Sequence, residues 1–147
     1  MIQFEKPNYK ITDYKEKDNY GRFELEPLEK GFGYTIGNAL RRVMLSSLPG
    51  AAITSVKIDG VLHEFQTMDG VVEDVASIIL NLKDVVIKKH CEEEKTIRLH
   101  AEKEGPVTAG EIECDPDVEI VNKDLVIANL AAGGKLDMEM TVATGRG

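Results

Sequence analysis

Tryptophan is absent, aromatic residues make up 5% of the chain, and 26 Asp and Glu outnumber 18 Lys and Arg. A surface that grips single-stranded nucleic acid sets aromatic platforms in a basic groove, so that class of function is disfavoured. The formal net charge of −8 also repels a phosphate backbone as a whole. Two cysteines, Cys91 and Cys114, form neither a disulfide framework nor a CxxC pair. The longest apolar runs are a few residues, far short of a membrane span. Met1-Ile-Gln-Phe-Glu-Lys-Pro7 holds no apolar stretch of secretory length. These absences lead to the expectation of a soluble cytoplasmic protein. What the chain does contain is apolar residues, 42% of 147, enough for one domain of ordinary size or two small ones.

Periodicity divides the chain. The opening to about Tyr20 is polar with little repeat, whereas Gly21–Leu28 alternates as a half-buried strand that Pro27 ends. After the glycine-punctuated turn at Glu29–Gly33, Ile36, Leu40, Val43 and Ser47 share one stripe of a helix predicted over Thr35–Leu48, with Thr35 as N-cap and Pro49-Gly50 as stop. Gly37 inside it suggests early fraying or close approach of another backbone. Ser55–Asp59 alternates again, and Asp59-Gly60 predicts a hairpin returning through Val61–Phe65. A second amphipathic helix is predicted over Val71–Lys83, with Glu73 and Asp74 suiting its positive end and Lys83 its negative end. Val85–Lys88 and Thr96–Ala101 read as partner strands joined by the charged hairpin loop His90–Lys95. Gly105-Pro106 breaks the chain, and Val107–Pro116 reads as irregular with one short element. Leu125–Ala128 and the clearly alternating Leu136–Val142 complete the strands, and Thr144–Gly147 reads as a turn.

Catalytic patterns are scarce. Gly31-Phe-Gly-Tyr-Thr-Ile-Gly37 is spaced one residue too long for a dinucleotide fingerprint, and Leu136 after Gly134-Lys135 breaks any phosphate-loop pattern. His63 beside Glu64 could be imagined as an acid–base dyad, but neighbours on a strand point to opposite faces. His90-Cys91 lacks the spaced ligand pairs of a zinc site, and Glu92–Glu94 reads as a solvated loop. No carboxylate pair is fixed by its context for acid–base work. Arg41 and Arg42, mid-helix beside the apolar stripe, fit either a solvated face or a partner-binding helix in which arginine forks make bidentate bonds.

From Leu28 to Gly50 the sequence LEKGFGYTIGNALRRVMLSSLPG closely resembles the first-helix region of the bacterial RNA polymerase alpha-subunit family. The likeness continues through Ile58–Phe65, Val72–Asp74, Leu80–Lys83, Gly105–Ala109, Asp117–Val121 and Gly145–Gly147, nearly the whole chain. It implies an α+β protein in two parts. Residues 1–49 would be the first half of a dimerisation domain, a strand plus a long helix. Residues 50–147 would be an inserted, mainly antiparallel β domain with one helix. In the family the chain then returns to finish the dimerisation domain, so this sequence would be an N-terminal fragment. The resemblance further implies a non-catalytic platform in which two alpha subunits dimerise and the beta and beta-prime subunits dock for transcription. It assigns Arg42, with Arg41 beside it, to beta, Lys83 to beta-prime, and Phe32, Ile36, Val43 and Ser47 to the dimer interface. No catalytic residue, cofactor or metal is expected in this chain, nor direct contact with DNA or a membrane. A competing reading, from another class, is a small stand-alone α+β enzyme using His63 and its acidic neighbours.

Overall fold

The computed structural model describes residues 6–147, and the reading of Met1–Glu5 as part of a non-secretory start lies outside them. The protein is α+β, with two α-helices and strands that pair antiparallel. It divides into two compact units, Met1–Ser47 and Leu48–Gly147.

The first unit carries a hairpin of β1 (Asn8–Lys15) and β2 (Tyr20–Glu26), paired from Asn8 opposite Glu26 to Lys15 opposite Tyr20 with a one-residue shift of register between Ile11 and Asp13. A short 3-10 turn and Asn19, at φ 49°, reverse the chain between them. β1 falls in the stretch that sequence periodicity left without an element. Every residue of both strands is exposed, so no buried face imposes the alternation by which a strand is recognised. α1 follows (Phe32–Ser46). It starts three residues before the predicted Thr35: Gly31, at φ 93°, turns the chain directly into the helix, and no side chain caps it. Gly37 meets no other backbone, since a Cβ there would find nothing within 4 Å.

The second unit is built on a five-stranded antiparallel sheet ordered β5-β9-β3-β4-β7, with a separate two-stranded ribbon, β6-β8. Its elements in chain order are β3 (Pro49–Ile58), α2 (Val75–Lys83), β4 (Ile87–Lys89), β5 (Lys95–Ala101), β6 (Gly105–Thr108), β7 (Val118–Ile120), β8 (Val126–Leu130) and β9 (Leu136–Arg146). Alternation places Ile97, Leu99 and Ala101 of β5 and Leu136, Met138, Met140 and Val142 of β9 on the buried face. Val75, Ile78 and Leu82 of α2 and Ile127, Ala128 and Leu130 of β8 join the same core. One backbone exchange ties Glu113 to the outer edge of β5, with Glu113 N–H donating to Arg98 at 2.7 Å and Arg98 N–H donating back at 3.2 Å. The chain then crosses to pair β7 with β4 at the opposite edge, so the Glu113–Ile120 stretch borders both sides of the sheet.

Several expectations are corrected. Asp59-Gly60 does turn, with Gly60 at φ 74°, but Val61–Phe65 is no return strand. The Asp59 N–H donates to the Asp137 carbonyl at 2.9 Å, because β9 already occupies the place beside β3. Pro49-Gly50 does not merely stop α1; Pro49 opens β3, a first position where its missing N–H is tolerated. α2 begins at Val75 rather than Val71, because the Asp74 carboxylate accepts from Ser77 N–H at 2.8 Å and sets the N-cap. β4 and β5 are not hairpin partners: β4 pairs with β3 and β7, β5 with β9. β9 runs past Val142 to Arg146, in register with β3 down to Pro49, so Thr144–Arg146 is strand and not turn. Gly105–Thr108 is the strand β6 on a two-stranded ribbon, where Pro106 removes no central ladder bond.

Candidate protein-docking surfaces

α1 has no buried residue, although its sequence is amphipathic. At about 100° per residue, Phe32, Ile36, Val43 and Ser47 fall within about 60° of arc, while Arg41 and Arg42 lie about 150° and about 110° from its centre. The helix thus separates an apolar stripe from an arginine-bearing side. Ile36 is half-buried; Phe32, Leu40, Val43, Met44 and Leu45 are all more than half exposed. Ser47 is the C-cap, its N–H donating to the Val43 carbonyl at 2.9 Å. Arg41 and Arg42 make no ion pair among the described residues.

Lys83 is the last residue of α2 in the second unit, exposed and at the negative end of the helix. Two sets of bonds fix α2 beneath it. Asn81 donates its side-chain amide to the Ile127 carbonyl at 2.8 Å. The Glu73 carboxylate accepts from the backbone and side-chain nitrogens of Asn129, both at 2.7 Å. Partial burial pushes the Glu73 carboxyl upward, but these hydrogen bonds prevail and hold it below its ordinary range. Sequence reading put Glu73 to work on the helix dipole; its partner lies 56 residues away, which no local pattern signals.

In the loop between β3 and α2, two large apolar side chains are exposed. Leu62 is 93% and Phe65 82% exposed, where a half-buried strand was expected. The Gln66 side-chain oxygen accepts from Leu62 N–H at 2.6 Å and His63 N–H at 3.2 Å, which folds this stretch into a bonded loop. The His63 ring sits tilted near Phe65, with centroids 6.4 Å apart. His90 and Cys91 stand in a loop, and among the described residues no three His, Cys, Asp or Glu side chains form a metal-holding group. The Cys114 thiol is pushed up by burial, which opposes nucleophilic reactivity.

The outer face of the sheet is ionic. Lys57, Glu139 and Arg98 stand abreast on β3, β9 and β5, with Arg98 Nη2 2.9 Å from Glu139 Oε2. One row further, His100 bonds Asp137, and Lys135 Nζ lies 2.9 Å from the same carboxylate. The hydrogen bond and charge of Asp137 raise His100, while His100 and Lys135 hold Asp137 low. Asp117 and Asp115 likewise raise Lys95, whose ammonium spans both at 3.0 and 3.1 Å. The pairs of Arg98, His100 and Lys135 are solvated surface pairs, which set local geometry and contribute little stability, whereas the Lys95 side chain is only 21% exposed.

Residues 56–147 match the family model of the RNA polymerase Rpb3/RpoA insert domain. The chain belongs to the bacterial RNA polymerase alpha-subunit family. It is 60% identical over all 147 residues to the DNA-directed RNA polymerase subunit alpha of Symbiobacterium thermophilum, 47% of which is covered. The corresponding proteins of Carboxydothermus hydrogenoformans and Desulforamulus reducens are 59% and 58% identical over the same 147 residues, with 46% and 47% of their lengths covered. The chain therefore spans about half the length of the curated relatives it matches. Among the described residues, no helix is long and apolar enough to cross a membrane.

Proposed function

We propose that this chain is part of a non-catalytic assembly subunit of DNA-directed RNA polymerase, which dimerises and docks the beta and beta-prime subunits. The observation that carries this reading is α1, a helix of 15 residues with no buried side chain and a continuous apolar stripe. Isolated helices of that length are marginal in water, and each large apolar side chain gains roughly 1.5–3 kcal/mol on full burial. Such a stripe calls for a cover. A second copy presenting the same stripe is a self-complementary solution. In this reading residues 1–49 are the first half of the dimerisation domain and 50–147 the inserted domain. Phe32, Ile36, Val43 and Ser47 face the second subunit, while Arg41 and Arg42, on the other side of the helix, meet beta. Lys83, on the separate second unit, meets beta-prime. The names of the relatives support the assignment. The alternative acid–base enzyme centred on His63 is not favoured: His63 stands on an exposed loop against Phe65.

The test uses the full-length subunit. Arg42→Ala is expected to leave the dimer intact and weaken capture of beta by roughly 2 kcal/mol, the scale of an interfacial hot spot. Val43→Lys is expected to do the reverse. A dimer lost on Arg42→Ala with beta capture unchanged would show that the two faces are assigned the wrong way round.

A further inference from the structure

Two turns of the second unit have the same chemistry. Ile58-Asp-Gly-Val61 and Met68-Asp-Gly-Val71 each close with the last N–H donating to the first carbonyl at 3.2 Å. Gly60 stands at φ 74° and Gly70 at φ 77°, while neither aspartate has a positive φ, so both are type II turns. In each, the central peptide joins Asp to Gly, and its N–H and C=O have no main-chain partner among the described residues.

Packing separates the two. Asp59 and Gly60 are both exposed, and a Cβ on Gly60 would find nothing within 4 Å. The Asp59–Gly60 peptide is therefore free to turn, while the Ile58–Val61 bond and the Asp59 N–H bond to Asp137 hold the ends of the turn. Around Gly70 the main chain is pinned. Its carbonyl accepts from Ala131 N–H at 2.9 Å, a Cβ on it would come within 2.4 Å of the Gly134 Cα, and Val71 bridges Leu130. Gly70 is half-buried where Gly60 is open.

We infer that Asp59-Gly60 is a site of spontaneous isoaspartate formation in the folded protein, and that packing protects its twin, Asp69-Gly70. Glycine offers no side chain to hinder the approach of its nitrogen to the neighbouring carboxyl, and its main chain turns readily. The Gly60 nitrogen attacks Cγ of the protonated Asp59 carboxyl. The N–Cγ bond forms, the C–OH bond breaks, and the nitrogen's proton leaves with the hydroxyl as water. The product is a succinimide ring. Closing it draws the glycine nitrogen and Cα toward the carboxyl carbon, a movement that Gly60 allows and the pinned Gly70 resists. Water then adds to one of the two ring carbonyls and breaks its bond to nitrogen. Opening at Cγ restores aspartate. Opening at the α-carbonyl leaves the main chain running through Cγ, with a free α-carboxylate. Overall no atom is gained or lost, and nothing is oxidised or reduced. The isoaspartyl form keeps the negative charge and lengthens the main chain by one carbon, where β3 gives way to the loop of Leu62 and Phe65.

The experiment ages the folded full-length subunit at neutral pH in heavy-oxygen water. Each passage through the succinimide leaves one heavy oxygen in the peptide, and electron-transfer fragmentation tells isoaspartate from aspartate. Label and isoaspartate are expected at position 59 at about ten times the rate at position 69, the scale of one hydrogen bond added to a barrier. A carboxyl methyltransferase specific for isoaspartate is expected to methylate the aged peptide around position 59. The same peptide from Asp59→Glu, whose longer side chain would have to close a larger ring, is expected to stay unmethylated. In strong denaturant both sites are Asp-Gly-Val sequences without packing, so their rates are expected to converge. Equal rates in the folded protein, a faster Asp69, or no label at Asp59 overturns the inference. A ratio that survives denaturation overturns it too, since neighbouring residues rather than packing would then set the selectivity.

Discussion

The two units obey the same local rules and differ in what those rules achieve. Each has antiparallel strands and one amphipathic helix. In Leu48–Gly147 every buried core residue lies between Ile58 and Val142, and α2 sinks Val75, Ile78 and Leu82 into it. In the described part of Met1–Ser47 nothing is buried, and α1 presents Phe32, Leu40, Val43 and Met44 to solvent. A helix and a hairpin have one apolar stripe each, and packing needs layers that share a core. The second unit has those layers; the first lacks a partner for its stripe. Amphipathic pattern therefore marks a face to be covered, and does not say whether the cover lies in the same chain.

The sharpest way to break this contrast is hydrogen exchange on the chain alone in solution. Amides of β5 and β9 are expected to exchange several orders of magnitude more slowly than those of α1, since protection tracks the free energy of local opening. Slow exchange throughout Phe32–Ser46 in a monodisperse monomer would show that the first unit is complete by itself.

Truncation of matched methionines comes next. Met140 is fully buried and Met44 is 64% exposed. Met140→Ala is expected to cost about 2–5 kcal/mol in denaturant unfolding, Met44→Ala in the same chain no more than about 0.5 kcal/mol. Equal losses would mean that α1 is packed in solution.

Glycines offer a smaller contrast of opposite sign. Gly70 sits at φ 77°, and a Cβ there would come within 2.4 Å of the Gly134 Cα. Gly70→Ala is expected to destabilise by more than about 1 kcal/mol, as both backbone conformation and space forbid it. Gly37→Ala meets nothing and replaces a poor helix former, so it is expected to raise α1 helicity by up to about 1 kcal/mol. Circular dichroism and thermal melts read both.

The smallest effect concerns pH. His100 is raised above its ordinary 6.5 by the hydrogen bond and charge of Asp137, with Glu102 adding and Lys135 opposing. A raised folded value stabilises fully below the unfolded value and loses that contribution as pH rises through the folded one. Wild-type stability relative to His100→Gln is therefore expected to fall from mildly acidic to alkaline pH, by an amount that solvent screening keeps small. A proton-resonance titration of His100 centred at or below 6.5 would refute the pairing.

Local chemistry made much of this molecule legible in advance. The stripe of α1 could be read because one helix face repeats every 3.6 residues, and Leu136–Val142 because a half-buried strand repeats every two. The run from Leu28 to Gly50 likewise carried the family, and with it Arg42 and the dimer-facing set as positions to test, while Leu80–Lys83 carried Lys83. Pairing was another matter. Asp59-Gly60 has the residues of a hairpin, yet β9, some eighty residues on, takes the place that Val61–Phe65 would have filled. Glu73 finds Asn129 56 residues away, and Glu113 finds Arg98 across a shorter gap that still lies beyond any local pattern. Each such partner is selected by competition among all segments of the chain for the same backbone bonds and the same core. β3 keeps one edge open only because β4 pairs with it at one position and then diverges. Residue periodicity determines which face of an element is apolar; only the completed packing decides what stands opposite it, and which edge is left without a neighbour.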